Sequence, residues 1–105
     1  MVYDYAGMVA LADPTRRKVF ELVAEAPRSV ANLARILPVS QPAVSHHLKV
    51  LKEARLVRAE PRGASNIYHV DPHGLGEMRA WLDQMWGETL DAFRNEINKT
   101  KERKQ

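Results

Sequence analysis

The sequence predicts a single, mainly α-helical domain that carries one small β-hairpin. Its length of 105 residues suits one domain. Apolar residues recur at helical spacing along most of the chain, and a β-type pattern appears only between residues 56 and 70. Hydrophobic residues make up 45% and charged residues 28% of the chain, which is typical of a folded globular protein and excludes wholesale disorder.

The first two helices are predicted from apolar spacing and from a start signal. A short first helix is indicated by apolar residues at helical intervals: Tyr5, Met8, Val9 and Ala12. Asp13 and Pro14 begin a second helix, because aspartate can accept a bond from a free N–H and proline suits the first helical position. Ala26 and Pro27 end it.

The next two helices are joined by a tight turn. Ser29 caps a third helix that Pro38 stops, and Ser40 caps a fourth helix directly afterwards. The apolar stripe of this fourth helix, at i, i+4 and i+7, is predicted to face the core: Val44, Leu48 and Leu51. Two helices in this arrangement, the second with a small polar outer face, have the layout of a helix-turn-helix.

A hairpin and a long helix complete the chain. The sequence predicts two β-strands, at residues 56–60 and 67–70. The segment between them, 61–66, is rich in turn-forming residues and is expected to form an exposed basic tip. Residues 71–72 end the hairpin. From about Leu75 to Asn98 one amphipathic helix is predicted, followed by a basic, disordered tail over 99–105. The predicted domain therefore spans residues 1–98.

The long helix carries two adjacent apolar stripes. One consists of Met78, Leu82, Met85 and Thr89, and the other of Trp86, Leu90, Phe93 and Ile97. One stripe is enough for a helix that lies on a single small core, so the second predicts burial against another subunit. The alternative is one broad stripe that covers a single core.

The charge distribution and the composition limit the classes of function that the protein can have. Residues 28–66 carry seven basic and two acidic side chains, whereas residues 76–98 carry two basic and five acidic ones, so the middle of the chain is suited to a polyanion. Cysteine is absent, which excludes disulfides, thiolate metal sites and a cysteine nucleophile. No signal peptide, membrane-spanning run or catalytic motif is present, so we expect a cytoplasmic protein that is not an enzyme and has no membrane partner.

Two segments resemble the ArsR/SmtB family of bacterial repressors. Residues 10–17, ALADPTRR, resemble the opening of that family's second helix, and residues 39–54, VSQPAVSHHLKVLKEA, closely resemble its recognition helix. The resemblance covers residues 8–97. It implies a winged helix-turn-helix homodimer, joined through its first and last helices, that binds a double-stranded DNA operator with dyad symmetry and represses its own or neighbouring genes.

The resemblance and the helix pattern together assign site residues. The predicted DNA contacts are Ser40, Gln41, Pro42, Ser45, His46, Lys49, Arg58 and Arg62. The predicted dimer interface consists of Tyr5, Met8, Val9, Met85, Trp86, Leu90, Phe93 and Ile97. His47 lies closer to the apolar stripe and is interpreted as a packing residue. Two positions depart from the family: Arg55 stands where a left-handed glycine is usual, and Ala64 where the wing often has arginine.

Metal sensing, the best-known activity of the family, is not predicted. The third helix has no cysteine, and after Asp71 and His73 the positions of the second ligand pair hold Gln84 and Gly87. No cofactor is therefore expected, and no pattern indicates a small-molecule effector. Two alternatives stay open: a metal-responsive repressor with a non-standard histidine site, and a winged-helix module that binds proteins instead of DNA.

Overall fold

The computed structural model describes residues 4–103, and Met1–Tyr3 and residues 104–105 lie outside the described part. Along the chain the elements are α1 (Ala6–Leu11), α2 (Pro14–Glu25), α3 (Val30–Ile36), α4 (Gln41–Glu53), β1 (Val57–Arg62), β2 (Ser65–Val70) and α5 (Pro72–Arg103). The two strands form one antiparallel sheet. The prediction of a mainly helical fold with a small hairpin is confirmed.

Three helices begin at the predicted caps. The Asp13 carboxylate accepts from the Arg16 N–H at 2.9 Å, at the start of α2. The Ser29 hydroxyl accepts from the N–H three residues on at 3.1 Å, and the Ser40 hydroxyl does the same at 3.3 Å. Each bond satisfies a donor that the first turn of a helix leaves free, so these helix starts are determined locally.

The core lies between α2, α3, α4 and the base of the hairpin. Its fully buried members are Val19, Val23, Leu33, Val44, Leu48, Leu51, Leu56 and Val57. The predicted stripe of α4 is entirely within this set. Because one face of α4 is held in the core, its opposite face is directed outward.

The hairpin is longer than the sequence pattern indicated, since β1 and β2 include most of the predicted turn. Arg62 pairs with Ser65, so the connecting loop consists of Gly63 and Ala64 alone. Gly63 has φ +60°, a conformation that costs glycine little and that two-residue hairpin loops require. A further antiparallel bridge joins Arg28 to Tyr68, so the segment before α3 lies against β2.

The bounds of α5 differ from the prediction at both ends. The helix begins at Pro72 rather than near Leu75, because the Asp71 carboxylate accepts from the His73 N–H at 3.0 Å and proline fits the first position. It continues past Asn98 to Arg103, through the start of the tail expected to be disordered. Residues 99–103 contain no glycine or proline that would stop a helix.

The start of α5 packs against α1. A Cβ at Gly7 would lie 2.9 Å from the Met78 sulfur, so the absence of a side chain there lets the two helices approach closely. The Tyr5 and Trp81 rings meet edge to face, with centroids 6.5 Å apart. Beyond this contact α5 extends away from the core, and the molecule measures 71 Å along its longest axis.

Candidate nucleic-acid interface

The outer face of α4 gathers the predicted base-reading side chains. The exposed residues of this face, with the cap that precedes it, are Ser40, Gln41, Pro42, Ser45, His46 and Lys49. They carry hydrogen-bond donors and acceptors, an apolar ring and one positive charge. These are the groups that contact base edges and phosphates in a major groove.

His47 occupies the boundary between the two faces of α4. It is half-buried, and its Nδ1 has no hydrogen-bond partner among the described residues. Burial lowers the pKa of the ring from its ordinary value of 6.5, the Asp13 carboxylate opposes the shift, and the Arg16 guanidinium adds to it. The structure therefore places His47 in packing between α4 and the start of α2, as the sequence indicated.

The β1–β2 hairpin, here called the wing, exposes Arg58 and Arg62 on one face. Beside them lie Glu60 and His69, which the sequence pattern does not predict as site residues. Glu60 lies between the two arginines on β1 and accepts from the His69 Nε2 at 2.5 Å and from the Arg62 guanidinium at 3.4 Å. The His69 bond is the main reason that the pKa of Glu60 is held below its ordinary value of 4.5. The wing thus presents Arg62 with a carboxylate partner already in place.

A shallow cavity of about 180 Å³ separates the wing tip from the start of α4. Its lining comes from three segments: Ser29, Val30, Ala31, Gln41, Ser65 and Asn66. The fold therefore brings polar groups of the wing beside the first residue of α4. Of these residues the sequence predicts only Gln41 as a DNA contact. Ser65 and Asn66 come close to it through the packing of the hairpin, which the sequence pattern does not specify.

Arg55 keeps the backbone of the glycine that it replaces. Its φ is +59°, so the end of α4 turns left-handed as in the family pattern and is not reshaped. For a residue with a Cβ this conformation costs roughly 1 kcal/mol. The side chain is turned toward the start of α5, where Nη1 lies 3.1 Å from the Nε2 of His73.

The residues considered for a metal have other roles. The Asp71 carboxylate caps α5, His73 contacts Arg55, and His69 is bonded to Glu60. Between residues 4 and 103, no group of three or more histidine, cysteine or acidic residues is placed to hold a metal ion.

A second surface, apolar rather than basic, lies on α1 and α5. On α5 we define the α5 stripe as Met85, Trp86, Leu90, Phe93 and Ile97, all exposed. Trp86 is 62% and Phe93 63% exposed, and Val9 on α1 is 70% exposed. Of the other predicted interface residues Tyr5 is exposed and Met8 half-buried. None of the described helices is long and apolar enough to cross a membrane.

Comparison with known proteins adds independent evidence. A family model for bacterial regulatory proteins of the arsR family matches residues 13–59. The HTH-type transcriptional regulator Rv2034 of Mycobacterium tuberculosis is 52% identical over 84 residues, covering 80% of this chain and 78% of that protein. The transcriptional repressor SdpR of Bacillus subtilis is 30% identical over 70% of this chain and 81% of that protein.

A solved structure shares the same architecture. A crystal structure described as a possible transcriptional regulator for arsenical resistance superposes with a TM-score of 0.70 at 39% identity, covering 83% of this chain and 91% of that one. The matched residues 13–59 contain α2, α3, α4 and the start of the hairpin, which are the elements that form and support the exposed face of α4.

Proposed function

Because this chain belongs to the ArsR family of bacterial regulatory proteins, we propose that it acts in the cytoplasm as a homodimeric, sequence-specific repressor of transcription. The observation that carries the proposal is the division of α4 into two faces. Val44, Leu48 and Leu51 are fully buried, while Ser45, His46 and Lys49 on the opposite side of the helix are exposed and polar. A helix held in this way can enter a major groove without giving up its packing.

The roles of the α4 residues follow from their chemistry. Ser40 caps the helix, so the free N–H groups of the first turn and the helix dipole favour a phosphate at that end. Gln41 can pair with adenine, and Pro42 offers an apolar contact to a thymine methyl group. Ser45 and His46 are within the half that reads base edges, and Lys49 neutralises a phosphate.

The α5 stripe supports the dimer. Large apolar side chains exposed together on one helix are unfavourable in water, and covering them with the same surface of a second copy removes that exposure on both chains. A dimer with twofold symmetry presents two copies of α4. These would meet the same face of the duplex about one turn apart, ~34–36 Å, so the operator is an inverted repeat.

Selection from a random duplex library tests this function. Purified protein should enrich an inverted repeat whose half-sites are centred about ten base pairs apart. Its affinity for this repeat should fall steeply with salt, because bound phosphates release their counterions. Enrichment of no sequence, or binding that salt does not affect, would contradict the proposal.

Repression is tested separately from binding. The selected operator is placed over a promoter in a purified transcription reaction, and a scrambled duplex of the same composition serves as the control. Added protein should lower transcript yield only from the operator template. Equal yields from both templates would show that binding does not repress.

A further inference from the structure

Arg28 connects the wing to the helices through its backbone. Its N–H donates to the Tyr68 carbonyl at 3.2 Å, and the Tyr68 N–H donates to the Arg28 carbonyl at 2.8 Å. Tyr68 is on β2 and packs against the core. The segment between α2 and α3 is therefore joined to the hairpin by a reciprocal pair of backbone bonds, which sets the position of β2 relative to both helices.

The side chain of Arg28 connects the same point to α2 and α3. Its Nε donates to the Leu22 carbonyl at 2.7 Å, in the last turn of α2. Its Nη1 donates to Oδ1 of Asn32 at 2.9 Å, in α3, and its Nη2 to the Glu25 carboxylate at 3.2 Å. The side chain is only 18% exposed. One guanidinium thus satisfies acceptors on both helices, while its own backbone holds the wing.

Arg28 contributes less to the attraction for a polyanion than its place in the sequence predicts. By sequence it belongs to the basic group of residues 28–66, which predicts attraction for a polyanion. In the structure its side-chain nitrogens donate to acceptors of the protein itself, on Leu22, Asn32 and Glu25. Its charge is also paired with Glu25, so it contributes less to a phosphate than an exposed arginine such as Arg58.

We propose that Arg28 is a positioning residue that fixes the wing relative to α4, so that Arg62 and the α4 side chains reach one duplex together. The inference rests on the proposed DNA-binding function. α4 packs directly on α2 and α3, so a residue that holds β2 to those two helices sets the distance from wing to α4. The cavity between the wing tip and Gln41 is the space whose width this contact determines.

Lysine cannot replace arginine in this role. The fork of the guanidinium reaches the Leu22 carbonyl, Asn32 and Glu25 at once, whereas an ammonium group is a single point of charge. Arg28→Lys therefore keeps the positive charge but removes the simultaneous hydrogen bonds to the two helices. If Arg28 served only as positive charge, the lysine variant would bind DNA like the wild type. We expect it instead to lose about tenfold in operator affinity, as Arg28→Gln should.

The decisive experiment is a pair of double-mutant cycles on the selected operator at several salt concentrations. Arg62→Ala alone should weaken binding and flatten the salt slope by about one unit. Combined with Arg28→Lys, it should cost little more than either change alone, because a displaced wing has already lost the Arg62 contact. Arg28→Lys with His46→Ala, on α4, should multiply the two losses.

A second variant and a stability measurement distinguish a displaced wing from a protein that fails to fold. Asn32→Ala leaves Arg28 in place and removes one of its acceptors, so it should produce a smaller loss with the same coupling to Arg62→Ala. Thermal unfolding of each variant identifies any that fails to fold, and Asn32→Ala then serves in place of an unfolded Arg28 variant. Multiplicative losses with Arg62→Ala, or a lysine variant that binds like the wild type, would overturn the inference. Absence of sequence-specific binding by the wild type would instead refute the proposed function.

Discussion

Nη1 of Arg55 lies 3.1 Å from Nε2 of His73, across the junction between the end of α4 and the start of α5. A guanidinium only donates hydrogen bonds, so the ring nitrogen of His73 is the acceptor. The Gly74 N–H donates to the Arg55 carbonyl at 2.8 Å in the same junction. The helix proposed to read DNA and the helix proposed to form the dimer are therefore joined directly, and a dimer interface on α5 constrains the position of α4.

The left-handed backbone at Arg55 predicts a stabilising substitution. Arg55→Gly should raise the free energy of unfolding by about 0.5–1 kcal/mol, because glycine adopts φ +59° without the Cβ clash. Arg55→Ala is the matched control, since it also removes the His73 contact but keeps the Cβ. Urea unfolding at one fixed protein concentration measures both, and an alanine variant as stable as the glycine variant would contradict the strain argument.

Two glycines near the start of α5 should respond oppositely to alanine. A Cβ at Gly74 would lie 2.7 Å from the carbonyl oxygens of Ala54 and Arg55, whereas at Gly76 it would meet nothing within 4 Å. We expect Gly74→Ala to cost about 1–3 kcal/mol of stability, since backbone must move, and Gly76→Ala to add up to about 1 kcal/mol through helix propensity. Thermal unfolding of the two variants checks the sign of each effect.

The lowered pKa of His47 predicts an acid-sensitive stability. Its pKa in the folded protein is below the ordinary value of 6.5, so below about that pH the unfolded chain binds the proton more readily. Stability should be constant above this window and fall as the pH decreases through it. The carboxylates of Asp13 and Glu60 have pKa values below their ordinary values of 3.8 and 4.5. They therefore affect stability only at a pH lower than the range in which His47 acts.

Paired variants of the two adjacent histidines isolate this effect. His47→Gln should remove the loss of stability that begins as the pH falls below about 6.5, because a glutamine does not titrate. His46→Gln, on the exposed side of α4, should retain it. Urea unfolding across this pH range measures the slope, and a slope unchanged in His47→Gln would assign the acid sensitivity to another group.

The α5 stripe predicts the effect of a charge in the dimer interface. Leu90→Asp and Phe93→Asp should convert the protein to an 11.9 kDa monomer, or unfold it, because an unpaired carboxylate among apolar side chains is costly. Asn95→Asp adds the same charge on the opposite side of the helix and should leave the dimer intact. Light scattering at micromolar concentration measures the mass; a wild type that is already monomeric would contradict the interface.

The exposed face of α4 predicts a loss of sequence discrimination. Gln41→Ala and His46→Ala should each weaken operator binding by ~1–3 kcal/mol and change binding to random duplex much less, provided each contacts a base edge. Lys99→Ala removes a charge from the far end of α5 and should alter neither. Fluorescence titrations of both duplexes at one salt concentration provide the comparison. Equal losses on both duplexes would place these side chains on the DNA backbone.

Local chemistry explains which elements could be predicted from the sequence. The caps at Asp13, Ser29 and Ser40 each bond to an N–H three residues away, so the helix starts are encoded within one turn. The two faces of α4 follow from helical periodicity alone. Asp71 and Pro72 carry a similar start signal for α5, but they directly follow a β-type run, so the sequence pattern predicts a later helix start than the structure shows.

The sequence by itself determined the order of the elements and the outward face of α4, because hydrogen bonds and apolar periodicity within a few residues specify them. It indicated the family through the resemblance of residues 10–17 and 39–54. Only the tertiary structure decided which charges are available to DNA. Arg28 and Arg62 look alike in sequence, but the first is bound by Asn32, Glu25 and a backbone carbonyl, and the second lies on the wing beside Glu60. The direction of a long side chain depends on acceptors that packing brings near it, and the order of residues does not specify those acceptors.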